Sequence, residues 1–129
     1  MKYKFVVVAL STLSMSLSVS AATWVFVSKN VNGTMTFIDT TSIQRRGDLV
    51  TFWTKENFGS RLPQGVLSAK VQRSINCNRE EVIVRYAIFF DEPDANGRVR
   101  DEFSDSSWTW VPVSPEDKTS ALMQFVCRK

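Results

Sequence analysis

The segment WTWVPVSPEDKTSALMQFVCRK, residues 108–129, decides the fold, because an aromatic extended stretch turns there into a helix that ends on a cysteine. Ser114 and Pro115 are typical of a helix start, where a hydroxyl accepts a free backbone N–H and proline takes the first helical position. The two carboxylates that follow would lie beside the positive end of the helix dipole. The sequence therefore predicts a helix over residues 115–126.

The predicted helix has a single apolar stripe. Ala121, Leu122, Phe125 and Val126 recur at the i, i+3, i+4 spacing that buries one helix face. Because the chain before this segment has the pattern of strands, we expect the stripe to pack on a sheet.

Several strand patterns precede the helix. Residues 23–30 and 34–38 are rich in β-branched and aromatic residues and flank Asn32-Gly33, a dipeptide that favours a hairpin turn. Further strands are predicted at 49–58, 67–77 and 80–91 and within 98–113, with a charged turn at 45–48 and a loop at 59–65. The expected class is α+β, an antiparallel sheet of about six strands with one C-terminal helix packed on one face.

The strand at 67–77 has the clearest alternation. Its apolar positions are Leu67, Ala69, Val71, Ile75 and Cys77, which predicts one dry face toward the helix. Arg73 is the only charged residue on that face. It can pair with an acid such as Glu56, or it can contact a ligand.

Strict alternation also predicts two faces for the strand at 80–91. Val82, Val84, Tyr86, Ile88 and Phe90 would share one face. Glu81, Ile83, Arg85, Ala87 and Phe89 would share the other.

Residues 1–22 have the layout of a secretory signal peptide, with two lysines, an uncharged run and small residues at the end. We expect cleavage after Ala21 or Ala22, which leaves one domain at 22–129. A transmembrane anchor is the alternative, but the apolar run is short and contains several serines. No cysteine lies next to the cleavage point, so a lipoprotein anchor is not predicted.

The net charge argues against polyanionic partners. The chain has 16 Lys+Arg and 13 Asp+Glu, but two lysines leave with the leader and reduce the basic count to 14. Nucleic acid and anionic membranes are therefore not expected partners. Residues 40–90 are nevertheless net basic and residues 91–106 net acidic. Such a split can steer a protein partner, or it can be an ordinary solvated surface.

Cys77 and Cys127 both lie beyond the predicted leader. In an exported chain a lone pair of cysteines predicts one disulfide. A metal pair is the weaker alternative, because the sequence contains no histidine to complete a site. No cofactor is predicted.

The composition also argues against an enzyme. The absence of histidine excludes the usual serine and cysteine nucleophile systems. The acids that remain flank a predicted hairpin loop, where carboxylates are usually solvated: Asp91, Glu92, Asp94, Asp101, Glu102 and Asp105. A calcium loop here fails on spacing, since its twelfth position falls on Phe103 instead of glutamate. We predict no catalytic residue and no metal site.

Three side chains are candidates for contacting a partner. Arg73 lies on an otherwise apolar face, and Arg85 belongs to the basic half of the chain. Trp108 and Trp110 are predicted to share a strand face, where a partly exposed Trp108 could anchor a partner.

An ordered set of residues spans the mature chain: Trp24, Phe37-Ile-Asp39, Ile43, Val50, Trp53, Ile75-Asn-Cys77, Tyr86, Trp110-Val-Pro-Val-Ser-Pro115 and Val126-Cys127. This set resembles a known family, the surface-adhesin protein E-like domain of exported proteins from Gram-negative bacteria. The resemblance implies a C-terminal helix tied to the sheet by the cysteine pair and allows a homodimer. It also implies adhesion to host extracellular-matrix or serum proteins. The leader departs from the name-giving adhesin, a surface lipoprotein, because it lacks the lipid-accepting cysteine.

Two functions of different classes follow. The first is an exported non-enzymatic domain that binds a protein partner, located in the periplasm, in the medium or at the cell surface. The alternative is a periplasmic inhibitor or accessory subunit of an envelope enzyme. A small disulfide-closed sheet domain suits both functions, so the sequence does not separate them.

Overall fold

The computed structural model describes residues 21–104 and 108–128, so the first 20 residues of the predicted leader and Asp105 lie outside them. Every strand pairing is antiparallel, and the sheet order is β1-β2-β4-β5-β6-β7, with β3 beside β4 and β8 beside β6. The elements are β1 Trp24–Lys29, β2 Met35–Asp39, β3 Gln44–Arg46, β4 Leu49–Leu62, β5 Val66–Asn76, β6 Glu81–Phe90, β7 Val99–Phe103, β8 Val111–Pro112 and α1 Lys118–Val126. Six main strands and one C-terminal helix confirm the predicted α+β class.

The predicted hairpin joins β1 to β2. Its loop is closed by hydrogen bonds from Gly33 N–H to the Asn30 carbonyl and from Asn30 N–H to the Thr34 carbonyl, both 3.0 Å. Gly33 has φ +90°, a backbone conformation that glycine adopts without steric cost.

Alternate side chains of β4 and β5 divide the sheet into two faces. The covered face, on which α1 packs, carries Val50, Phe52, Thr54 and Glu56 of β4 opposite Ile75, Arg73, Val71 and Ala69 of β5. The open face, on the other side, carries Trp53, Lys55, Lys70 and Gln72. The predicted dry face of residues 67–77 is therefore confirmed.

A β-bulge in β6 makes the strict alternation predicted for residues 80–91 wrong. Tyr86 pairs with Gln72 while Val84 pairs with Arg73, so Arg85 is one extra residue in β6. Beyond this bulge the pattern reverses, and Ala87 faces the same way as Val84. The covered face of β6 therefore continues through Ala87 and Phe89, which pack with Val71 and Ala69.

Three element boundaries also differ from the prediction. The strand predicted at 49–58 continues to Leu62, and the charged turn at 45–48 contains the short strand β3. The single strand expected within 98–113 is two pieces, β7 and β8.

Helix α1 begins at Lys118, three residues later than predicted. A backbone hydrogen bond from Asp117 N–H to the Ser114 carbonyl forms a turn first, and Asp117 then takes the N-cap position. Leu122 and Val126 are buried against Ile38, Val50, Phe52, Ile75 and Val82. The helix ends at Val126, and Cys127 bonds to Cys77 with the sulfur atoms 2.11 Å apart, which confirms the predicted disulfide.

Candidate functional site

A charged cluster lies on the covered face where the start of α1 crosses β4 and β5. Arg73 donates one hydrogen bond to Glu56 Oε1 at 2.8 Å and another to the Thr54 hydroxyl. Lys118 donates to the second carboxylate oxygen of Glu56 at 3.0 Å. The Arg73 and Glu56 side chains are 7% and 3% exposed, whereas that of Lys118 is 29% exposed. The cluster contains two cations and one anion.

The cluster keeps Glu56 ionised although it is buried. Burial by itself would raise the pKa of this carboxyl, because the charged form loses its hydration. The charges of Arg73 and Lys118, and the hydrogen bonds that they donate, outweigh burial and hold the pKa of Glu56 below its ordinary value. The sequence suggested Arg73 with Glu56, and the structure adds Lys118.

An open cavity of about 710 Å³ begins at this cluster and extends along the covered face away from α1. Phe103 of β7 lies opposite Ala87 and meets the Phe89 ring edge-on at 5.8 Å, and Trp108 packs against the Ala69, Val71 and Ala87 side chains. The lining apart from the charged cluster is apolar: Phe58, Leu62, Ala69, Val71, Val84, Ala87, Phe89, Phe103 and Trp108. The cavity thus combines an apolar body with one charged end.

The open face carries a second, aromatic surface. The Lys55 ammonium lies 4.9 Å from the centre of the Trp24 ring and 5.4 Å from that of Phe37. The Lys70 ammonium lies 5.9 Å from Trp24 and 5.7 Å from Trp53. These contacts hold two lysines over ring faces, and the residues involved lie on four strands, β1, β2, β4 and β5.

The aromatic surface continues onto β6 and is bounded by a turn. Tyr86 meets Trp53 edge-on with the ring centres 5.9 Å apart. At one end the 3-10 turn Pro93–Ala95 approaches, because Asp94 accepts a hydrogen bond from Asn57 and lies 3.8 Å from the Lys55 ammonium. The four principal rings, Trp24, Phe37, Trp53 and Tyr86, are all half-buried.

The structure brings together two of the three predicted contact residues. Arg73 and Trp108 line the same cavity on the covered face. Arg85 lies elsewhere: its Nε donates to the Ser74 hydroxyl at 3.2 Å, and its guanidinium carbon lies 5.8 Å from the centre of the Trp110 ring. The prediction that Trp108 and Trp110 share a strand face is therefore wrong, because residues 108–110 precede β8 and do not form a regular strand.

Residues 91–98 of the acidic stretch form the predicted hairpin loop, whereas Asp101 and Glu102 lie in β7. Asp91 accepts a hydrogen bond from Arg98 N–H at 2.8 Å, and its own N–H bonds to the Arg98 carbonyl, so both groups close a turn. Across residues 21–104 and 108–128 no group of three or more acidic or cysteine side chains could hold a metal ion. No helix in these ranges is long and apolar enough to span a membrane.

Most residues of the covered-face cavity and of the open-face aromatic surface were not predicted from the sequence. Leu62 lines the cavity only because β4 is longer than predicted, and Phe103 lines it because β7 pairs with β6. Trp24 and Trp53 belong to the aromatic surface, and neither was a predicted contact residue. The sequence offered one signal for the second surface: Lys55 lies two residues after Trp53, and Lys70 lies next to apolar residues. This spacing indicates no face of the sheet until the register between β4 and β5 is known.

Comparisons with protein-family models and with solved structures identify proteins that are similar to this chain. The family model of surface-adhesin protein E matches residues 24–128, whereas no curated protein sequence matches the chain. Crystal form II of Haemophilus influenzae protein E has 19% identity and a TM-score of 0.62, covering 81% of this chain and 86% of that chain. Protein E from non-typeable Haemophilus influenzae has 18% identity and a TM-score of 0.54, covering 81% and 74%. At such identity these structures share the fold, and the family-model match over residues 24–128 shows that the chain belongs to the surface-adhesin protein E family.

Proposed function

We propose that this chain is an exported, non-enzymatic binding domain, cleaved after Ala21 or Ala22, that attaches to a host extracellular-matrix or serum protein. The observation that carries the proposal is the family match across residues 24–128, nearly the whole domain. The histidine-free sequence supports a binding role over catalysis, because the usual general base is missing.

The aromatic surface of the open face is the part of the domain that best suits a protein partner. Large aromatic side chains dominate the binding energy of protein interfaces, and they cost little conformational entropy when they are already ordered. Trp24 is ordered by two lysines, and Trp53 by Lys70 and Tyr86. The lysines add positive charge that attracts an acidic partner surface.

A binding assay with an open-face variant tests this proposal. Immobilised protein 22–129 should bind a component of a basement-membrane extract or of host serum with micromolar affinity or better, about −8 kcal/mol. Trp24→Ala removes the ring that both lysines contact, and it should weaken binding about thirtyfold, or about 2 kcal/mol, as expected for an interface hot spot. Trp110→Ala is the matched control, because it truncates a half-buried tryptophan under Arg85 at the β6–β8 edge.

Two results would overturn the proposal. One is wild-type protein that binds neither the extract nor serum. The other is an equal loss of affinity in Trp24→Ala and Trp110→Ala, both shown by circular dichroism to be folded. Recovery of the native protein only in the periplasm, bound to an envelope enzyme, would favour an inhibitor or accessory subunit instead.

A further inference from the structure

The cavity on the covered face is open to solvent and has a mostly apolar lining. The cavity measures about 710 Å³, within the range of roughly 300–1,000 Å³ typical of small-molecule sites. Two of its apolar side chains remain substantially exposed, Leu62 at 38% and Phe103 at 44%. An apolar ligand would cover them.

The charged end of the cavity determines the sign of the charge on the ligand. Arg73 and Lys118 supply two positive charges, and Glu56 supplies one negative charge. The Arg73 guanidinium has five N–H groups, of which two bond to Glu56 and Thr54. The Lys118 ammonium is partly open to solvent and gives one of its three hydrogens to Glu56. A single carboxylate in the cavity would restore neutrality and receive charge-assisted hydrogen bonds.

The apolar lining selects a hydrocarbon chain over a peptide. A bound peptide brings N–H and C=O groups, and each one buried without a partner costs about 1–3 kcal/mol. The centre of the cavity floor is formed by side chains of β5, which is paired with β4 on one side and with β6 on the other, so free backbone groups lie at the rim, along the outer edge of β7. A hydrocarbon chain needs no hydrogen-bond partner and gains from contact with the rings of Phe58, Phe89 and Trp108.

We propose that the covered-face cavity binds one single-chain fatty acid. Its carboxylate lies toward Arg73 and Lys118, and its hydrocarbon chain lies against Phe58, Phe89, Phe103 and Trp108. This site is on the opposite side of the sheet from the aromatic surface, so it is independent of the proposed binding to a host protein.

Calorimetric titration of delipidated protein 22–129 with dodecanoate tests the fatty-acid site. We expect one saturable site per chain. Ala87→Phe places a ring on the cavity floor, where Ala87 is 5% exposed, and should weaken dodecanoate binding at least tenfold by occupying the space. Because a packed ring can also disturb the fold, circular dichroism and the unfolding midpoint of Ala87→Phe are measured beside the titration.

A second variant tests the charged end without filling the cavity. Lys118→Gln should weaken dodecanoate binding about tenfold but leave the affinity for the neutral analogue dodecanol unchanged, because only the carboxylate contacts the ammonium. Lys29→Gln, at an exposed position of β1, is the matched control and should bind like the wild type.

Three outcomes would overturn the assignment. The first is binding of dodecanoate at several weak sites that Ala87→Phe does not change. The second is equal affinity for dodecanoate and dodecanol, both in wild-type protein and in Lys118→Gln. The third is displacement of dodecanoate by an apolar peptide of higher affinity. The last result would assign the cavity to a peptide. A failure of any kind here leaves the host-binding test unaffected, because that assay reads the open face.

Discussion

Glu56 is the residue on which the electrostatics of the covered face depend. Its carboxylate is the only anion in a cluster that also contains Arg73 and Lys118, and both oxygens are used. A buried ion pair adds little to stability when compared with an apolar replacement, because its desolvation offsets its attraction. Removing one partner is different, since the remaining charge stays buried and unpaired. The effect of losing Glu56 should therefore be large.

We predict that Glu56→Gln lowers the free energy of unfolding by about 3 kcal/mol at pH 7, because Arg73 keeps its charge in a buried site. Urea denaturation measures this change. Glu92→Gln, an exposed acid in the loop after β6, serves as the control and should change stability by less than about 0.5 kcal/mol. A Glu56→Gln variant as stable as the wild type would contradict the cluster's role.

The same carboxyl predicts a difference in acid sensitivity. The pKa of Glu56 is lower in the folded protein than its ordinary value of about 4.3, so ionised Glu56 stabilises the fold. That stabilisation is complete above the unfolded pKa and is lost as the pH falls through the lower folded pKa. As the pH falls from about 5 through the folded pKa of Glu56, wild-type protein should therefore lose more stability than Glu56→Gln. Parallel curves of unfolding free energy against pH for the two proteins would rule this out.

At the scale of elements, α1 depends on the bond at its end. The helix has only nine residues and buries Thr119, Leu122 and Val126, so it is too short to be stable on its own. The Cys77–Cys127 disulfide joins it to the end of β5 across a separation of 50 positions. On the chain-entropy model, a loop of this length stabilises the fold by about 4 kcal/mol, as an upper figure.

We predict that Cys127→Ser lowers the melting temperature by several degrees and accelerates hydrogen exchange first in residues 118–127. The reason is that the variant loses the constraint on the unfolded chain while the helix retains only a narrow apolar stripe. Hydrogen-exchange mass spectrometry compares the variant with oxidised wild-type protein, and reduction of the wild type should reproduce the result. Uniform acceleration over the whole sheet would show instead that the bond acts on global stability alone.

Patterns within one element were predictable from the sequence, whereas relations between elements were not. The alternation in β5 gave its covered face, with Arg73 as the exception, and glycine marked the β1–β2 turn. The faces of β6 were wrong because the bulge at Arg85 leaves no sign in the composition. Helix α1 began late because the backbone carbonyl of Ser114 accepts the Asp117 N–H and closes a turn, a bond that any residue at position 114 could make.

The cavity was unpredictable for the same reason. It requires the extension of β4, the pairing of β7 with β6 and the position of Trp108 over Ala87, and each is set by tertiary contacts. Arg73 and Trp108 were both singled out from the sequence, on separate grounds. Their meeting at one cavity depends on the register between β5 and β6 and on where the chain returns after β7.

On the scale of the whole molecule, one sheet separates two surfaces of different character. The covered face has an apolar cavity with a net positive end, and the open face has half-buried rings with lysines between them. Adjacent residues of β4, such as Lys55 and Glu56, point to opposite surfaces. A strand is rigid across its hydrogen-bonded ladder, so occupation of one face should change the other little.

This separation predicts that the two binding activities are thermodynamically independent. Trp24→Ala should keep wild-type affinity for dodecanoate, and Ala87→Phe should keep wild-type affinity for the host component, because sites without shared partners behave additively. Saturating wild-type protein with dodecanoate at about 100 times its dissociation constant should stabilise the fold by about 2.7 kcal/mol without altering host binding. Thermal unfolding and the binding assay measure these two effects on the same sample. A change of more than about fivefold in host affinity when dodecanoate is bound would mean a coupling of at least 1 kcal/mol, and the sheet would then transmit binding from one face to the other.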